Sequence, residues 1–488
     1  MVRVLVIFAC VWCGFAQEDT AVRIQSGNIT GRDAGEVRAW LGIPYAAPPV
    51  GDLRWRPPQP PPEWPGVKAM DRAGAACIQA ALGGIGAITL AQSEDCLTLN
   101  VWAPKNARQA AVMFWIHGGA FVEGSGGIPM YNGAALAHQG VVVVTINYRL
   151  GPLGFLACPE LSAESPGEPD ANFGIMDQIA ALQWVKKNIA AFGGDPRNVT
   201  IWGESAGAMS IYLLMISPPA RGLFARAIAE SGPIFGPMRT LAQAESSGAG
   251  RMHEWGAADL HVLRALPAKT FASAGLRDAA PVIDGKYVPE EPRRVFAEGR
   301  QAAVPFLLGA NSFEASLMVL FGGIGQRLAE MLGANGRKLY SEDPRLRAEQ
   351  IFSDAGFLEP MRFLAGHTDQ AGQAAWLYYF SYVAERRRTN SRGAMHGGEI
   401  PWVFDNLGSG LMAAVSTDAD RRMADTVSGY WVNFARTGDP NGPALPRWPA
   451  YRASTDRLLE LGAEITVREH FRKPQLDLIE QVRAALAR

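Results

Sequence analysis

Three stretches in the middle of the chain are apolar without alternation: AVMFWI (Ala111–Ile116), VVVVTIN (Val141–Asn147) and VTIW (Val199–Trp202). A strand with one wet face carries a polar residue at every second position, so runs lacking that alternation predict a sheet covered on both faces. Between the second and third runs, GIMDQIAALQWVKKNIA (Gly174–Ala190) places Ile175, Ile179, Leu182, Trp184, Val185 and Ile189 at helical spacing, and Gly193-Gly194-Asp195-Pro196 predicts its end. Strand, helix and strand in succession predict a largely parallel α/β sheet. PFLLGA (Pro305–Ala310) and WLYYFSY (Trp376–Tyr382) add two more strands, whereas Glu245–Ala280 and Gly322–Glu359 read as less regular helical insertions that would form a lid or pocket.

The N-terminus breaks this rhythm. MVRVLVIFACVWCGFAQ offers Arg3 as a positive start, Val4–Trp12 as an apolar stretch, and Gly14 and Ala16 as small residues for cleavage. That order predicts a signal peptide over residues 1–16, export to the periplasm or beyond, and one mature domain over residues 17–488. The apolar stretch falls well short of the roughly 20 residues a membrane span needs.

With 48% apolar residues in 488, the chain can bury a large core, and its net charge of -1 gives no electrostatic reason to expect a nucleic-acid partner. Of the five cysteines, Cys77, Cys96 and Cys158 would remain after cleavage. An oxidising compartment would let Cys77 and Cys96 close a surface loop, leaving Cys158 as a small buried hydrophobe. No clustered His/Cys set is present, so neither a metal nor another cofactor is expected.

Candidate chemistry enters with WGESAGAM (Trp202–Met209), in which Gly203 and Gly207 flank Ser205 at two residues on either side. A nucleophile at the end of a parallel strand must turn sharply into the next helix, and the neighbours two positions away must then be small. A helix beginning at Ala206 would aim its free N–H groups at the same place. Serine attack on an acyl carbon also needs oxyanion donors. His117-Gly118-Gly119 follows the strand Ala111–Ile116, so Gly118 and Gly119, with the N–H of Ala206, are the expected donors. His117 itself, at the loop entrance, suits a structural hydrogen bond.

EDCLTLNVW (Glu94–Trp102), WIHGGAF, NYRLGPLGFL (Asn147–Leu156), FGGDPRNVTIWGESAG, HGGEIPWVF (His396–Phe404) and NFARTGDPN (Asn433–Asn441) together resemble the type-B carboxylesterases, over about Val22 to Glu464. The resemblance implies an α/β-hydrolase fold: a large, mostly parallel, twisted central sheet flanked by helices, with inserted lid or pocket helices. It also implies a triad in the chain order Ser, Glu, His.

On that resemblance His396 is the base and Glu314, in GANSFEAS, is the acid, although Ala315 stands where the family often has Gly. Asp284, in PVIDGKYVPEEP, is the competing carboxylate. The resemblance also marks Glu204, Ser231 and Glu399 as a supporting, buried polar group near the triad, with a purely structural role for the three as the alternative. The implied partner is a small-molecule ester, cleaved through an acyl-enzyme. A triad-less adhesion module of this fold is disfavoured by the presence of all three residues, while a peptidase of the same fold would be separated only by rates on matched esters and amides. Between Cys77 and Cys96 there is Gly83, Gly84 and Gly86 but no Trp, Tyr or Phe, so an aromatic face for a choline cation is not expected there.

Overall fold

Each apolar run forms a strand, and the strands assemble side by side in the computed structural model, which describes residues 20–80, 90–165, 167, 171–272, 280–321, 323–408 and 410–486. The expected signal peptide (1–16) and Gly83, Gly84 and Gly86 lie outside the described residues. The main sheet contains β1 (Arg32–Ala34), β2 (Val37–Pro44), β3 (Thr98–Pro104), β4 (Ala110–Ile116), β5 (Val142–Ile146), β6 (Gly194–Glu204), β7 (Arg226–Glu230), β8 (Phe306–Asn311), β9 (Ala375–Phe380), β10 (Arg457–Leu461) and β11 (Ile465–Glu469). Their order across the sheet is β11-β10-β9-β8-β7-β6-β4-β5-β3-β2-β1. The strands from β5 through β10 run parallel, and antiparallel strands close both edges. A separate three-stranded sheet is built from Val22–Ile24, Gly27–Thr30 and Val67–Ala69.

The unbroken hydrophobicity of the central strands has the expected cause. Val112, Phe114 and Ile116 of β4 face one core, while Ala111, Met113 and Trp115 face the other. The first core is covered by α1 (Phe173–Asn188) and α2 (Ala206–Ile216), the second by α3 (Asp418–Thr437). The sequence expectation for β6 was too short. Gly194-Asp195-Pro196 does not end the preceding helix but opens this strand, with a register shift against β4 absorbing the irregularity. The helix-terminating role falls to Gly193 alone, at φ 83° after a single 3₁₀ turn.

Buried ion pairs fix the segments leading to the site. Arg149, just beyond β5, makes a two-pronged contact with Asp177 of α1 at 2.6 and 2.8 Å, with both side chains buried. Arg54 grips Glu94 in the same way at 2.6 and 2.7 Å.

Cys77 and Cys96 are joined by a disulfide, and Cys158 is buried and free. Burial pushes the Cys158 thiol up to about 12, which suits a packing role. The disulfide has a neighbour of consequence: the Gln79 side chain exchanges two hydrogen bonds with the backbone of Gly124, at 2.8 and 2.9 Å. Beside it, the Asn147 side chain donates to the Cys96 carbonyl and accepts from Ser125 and Gly126. The crosslink therefore braces the turn that follows the glycine-rich loop. Replacing both cysteines by serine is expected to lower stability by about 3 kcal/mol, from the closure entropy of a loop this long. Denaturant unfolding of the double variant checks this, and an unchanged midpoint would count against it.

Candidate active site

The sharp turn at Ser205 is visible in its backbone. Ser205 sits at φ 57° and ψ −118°, between the end of β6 and the start of α2. A non-glycine residue held there stores on the order of 1–3 kcal/mol of strain. Its neighbours explain how the strain is kept. The Ser205 N–H donates to the Glu230 carbonyl at 2.9 Å, and the Ser205 carbonyl accepts from Met209 N–H as the first turn of α2. A β-carbon on Gly203 would lie 2.6 Å from the Ile116 carbonyl oxygen, and one on Gly207 would collide with that same oxygen. Both glycines are thus required by the end of the adjacent strand β4, and Gly203 also by crowding within the turn, since its β-carbon would lie 2.8 Å from the Gly207 backbone.

That strand end continues into the glycine-rich loop. A β-carbon on Gly118 would come within 3.1 Å of the Ser205 β-carbon and 2.8 Å of Glu204 Oε2, so this loop lies directly against the serine. Gly119 has φ 107°, and a side chain there would strike the Glu123 carbonyl. Among the described residues, the N–H groups of Gly118, Gly119 and Ala206 take no hydrogen-bond acceptor. His117 is neutral and structural, as the sequence suggested. Burial drops its pKa to about 4, its Nδ1 lies 2.7 Å from the Gly118 carbonyl, and its ring stacks on Tyr148.

Glu314 follows β8 and His396 follows β9, so both arrive at the C-terminal edge of the parallel strands, where Ser205 stands. His396 Nδ1 lies 2.6 Å from Glu314 Oε2. The other oxygen, Oε1, accepts the Asn311 backbone N–H at 2.7 Å. His396 Nε2 is 3.0 Å from Glu204 Oε1, but the two atoms are not aligned for a hydrogen bond and both remain unpartnered. Among the described residues the Ser205 hydroxyl takes no hydrogen bond either. Catalytic hydrogen bonds commonly close only when substrate is bound.

Burial by itself would lower the His396 pKa, but the carboxylates of Glu204 and Glu314 reverse the balance and hold it well above the ordinary value of 6.5. A base must be neutral to accept a proton, so kcat/KM is expected to rise along an acidic limb with an apparent pKa above 6.5. Glu204→Gln removes one anion beside the imidazolium and should move that limb to lower pH. A pH–rate profile of the variant checks this, and an unmoved limb would show that Glu204 does not set the charge at His396.

The supporting group also assembles. Glu399 accepts from Ser231 Oγ at 3.4 Å and from the Asn311 side chain, and it is fully buried. Burial, then the charges of Glu204 and Glu314, push Glu399 up to about 8, well above the usual carboxylate range. Two residues of this group were missed in the sequence. Asn311, inside the same GANSFEAS segment, links Glu314 to Glu399. Glu230 lies at the end of β7, fully buried, with the Trp431 indole donating to it at 2.6 Å. The signal for Asn311 was its place three residues before Glu314. No local pattern marks Glu230, because its partner is 201 residues away.

Asp284 is elsewhere engaged. Its Oδ1 accepts the N–H groups of Lys286, Tyr287 and Val288, and its Oδ2 accepts from Asn172. It organises a turn and is not paired with His396. Among the described residues no group of His, Cys, Asp and Glu could hold a metal ion.

A carboxylate–imidazole pair and a strained serine at the C-terminal edge of a doubly covered, mostly parallel sheet define an α/β-hydrolase. The sequence profile of the Carboxylesterase family matches residues 18–332 and 322–479. The chain belongs to the carboxylesterase family, and it is a serine carboxylic-ester hydrolase. It is 39% identical to a para-nitrobenzyl esterase of Bacillus subtilis, over 91% of this chain and 95% of that protein. It is 36% identical to a fumonisin B1 esterase of Sphingopyxis macrogoltabida, over 90% of this chain and 86% of that one. A solved PNB esterase structure superposes with a TM-score of 0.84 at 34% identity, covering 94% of this chain and 99% of the other.

Proposed function

We propose that Ser205 is the nucleophile, His396 the general base and Glu314 its anionic partner, in the hydrolysis of short- to medium-chain carboxylic esters. The observation that carries this reading is the 2.6 Å contact between Glu314 and His396 at the strand edge that also presents Ser205. His396 Nε2 accepts the Ser205 hydroxyl proton as Oγ bonds to the ester carbonyl carbon. The negative oxygen then receives hydrogen bonds from the N–H groups of Gly118, Gly119 and Ala206. The imidazolium returns the proton to the departing alkoxide, leaving an acyl-serine. Water attacks that ester, giving one proton to His396, which passes it to Ser205 as the carboxylic acid is released and loses its remaining proton to solvent.

Glu204, Ser231 and Glu399 support the triad by fixing charge and hydrogen bonding beside His396. The mature enzyme is one domain over residues 17–488, exported after removal of residues 1–16. The Cys77–Cys96 pairing supports export, and among the described residues no helix is long and apolar enough to cross a membrane.

The test is a panel of esters varied separately in acyl and alcohol parts, including a para-nitrobenzyl ester and fumonisin B1 because relatives bear those names. Short and medium acyl chains are expected to give the highest kcat/KM, and a clear optimum at long chains would overturn the assignment. No aromatic residue lies between Cys77 and Cys96, so a choline ester should be turned over no better than its neutral isostere.

A further inference from the structure

The helix that begins at Pro344 is interrupted by one wide turn, Asp354–Leu358, in which the Glu359 N–H reaches back five residues to the Asp354 carbonyl. Such π turns cost hydrogen-bond geometry and are found disproportionately at functional sites. This one is clamped along its length. The Asp354 carboxylate accepts from Arg472 at 2.6–2.9 Å and from the Tyr340 hydroxyl at 2.9 Å. The Ala355 carbonyl accepts from Arg483, and the Gly356 carbonyl accepts the Ile234 N–H at 2.8 Å. Glu359, at its end, is held by Arg293 and Arg483. Gly356 cannot be replaced without displacing Phe235, whose ring occupies the place of a β-carbon.

What this clamped turn presents is Phe357. Its ring is fully buried, so it offers substrate no surface, and its centroid lies 5.4 Å from the His396 ring at 62°. In an uninterrupted α-helix, residues five apart point about 140° away from each other. Phe352 and Phe357 are five apart, yet their rings meet at 5.8 Å, and both pack against Phe235 at 5.0 and 5.7 Å. The extra residue in the turn is what brings Phe357 round to this cluster and to the imidazole. His396 has one aligned ring hydrogen bond, to Glu314, and the unaligned Glu204 carboxylate 3.0 Å from Nε2, so rotation and tilt of the ring depend also on packing.

We infer that Phe357, carried by the π turn, is a positioning residue that holds the His396 imidazole in its working orientation and keeps water from its flank. The inference rests on His396 being the general base. Phe357→Leu is expected to lower kcat by roughly ten- to a hundred-fold, the scale of a misplacement of about 1 Å, with KM nearly unchanged. Water admitted beside the imidazole favours its charged form, so the acidic limb of the pH–rate profile should move to higher pH. Phe352→Leu is the control: this ring is as buried as Phe357 and in the same cluster, but makes no ring contact with His396 among the described residues.

A merely structural role predicts that both variants lose melting temperature and that neither moves the profile. Should Phe357→Leu fail to accumulate, Phe357→Met is closer in volume and carries the same expectation. A Phe357 variant with wild-type kcat and profile overturns the inference, as does an equal displacement by Phe352→Leu. Ser205→Ala and His396→Ala, assayed alongside, separate the two failures. If both are inactive while the Phe357 variant is normal, only the positioning role is lost.

Discussion

Ser205→Ala is expected to lower kcat by about a million-fold, as removal of the nucleophile does in other serine hydrolases, without a loss of stability. The rate effect follows from the chemistry: with no oxygen to acylate, only the oxyanion donors and substrate binding remain. The stability expectation follows from the structure. Among the described residues the Ser205 hydroxyl makes no hydrogen bond, and alanine keeps the β-carbon, so the strained backbone at φ 57° is neither relieved nor worsened. Ser205→Gly should be just as inactive but more stable, by about 1 kcal/mol, because glycine accepts positive φ without steric cost. Turnover of a chromogenic ester, labelling by a fluorophosphonate probe and melting curves provide the readouts. Labelling at any residue other than Ser205, or turnover by the alanine variant, would overturn the assignment.

Glu314→Gln should cost about ten-thousand-fold in kcat, the scale seen when a triad acid becomes its amide, and the hydrogen bonds around it give the reason. Oε1 accepts the Asn311 backbone N–H at 2.7 Å, an interaction a glutamine can keep only by placing its oxygen there. The amide NH₂ is then turned toward His396 Nδ1, which must become an acceptor. That forces the imidazole proton onto Nε2, the atom that has to receive the serine proton. The loss is therefore mainly one of tautomer. Asp284→Asn is the informative counterpart: it disturbs a turn built from three backbone N–H groups, so it should cost stability and leave kcat nearly intact. Normal activity in Glu314→Gln with loss in Asp284→Asn would exchange the two carboxylates.

The central strands and the turn that displays Ser205 are legible in the sequence for one physical reason: their signals are local. β4 and β5 are apolar at successive positions because both faces are covered, and Gly203, Ser205 and Gly207 are close in sequence because one sharp turn demands all three. The edge strands were not legible. β1, Arg-Asp-Ala, is exposed along its length and does not differ in composition from a polar loop, while β11 is mostly exposed and its β-branched Ile465-Thr466-Val467 is too short a run to stand out; pairing with β2 and β10 makes them strands. The helix α3 does carry local signals, a Thr417 capping box and Gly438 at its end.

By itself the sequence determined the covered parallel sheet and the sharp turn that displays Ser205, and its resemblance to a family singled out Glu314 and His396 as the candidate acid and base. It also determined that Cys77 and Cys96 could pair, and the structure joins them. Only tertiary structure supplied the physical reason that His396 meets Glu314: three neighbouring N–H groups already occupy Asp284, whereas Glu314 takes one backbone N–H and keeps its other oxygen for the imidazole. It likewise decided the reason for Gly207, which lies in a carbonyl of another strand, and it brought Glu230 to Trp431 and Phe357 to His396. These contacts join residues far apart in sequence and depend on strand order and helix phase. Hydrophobic periodicity reports whether a side chain is buried; it carries no information about which distant side chain is buried beside it.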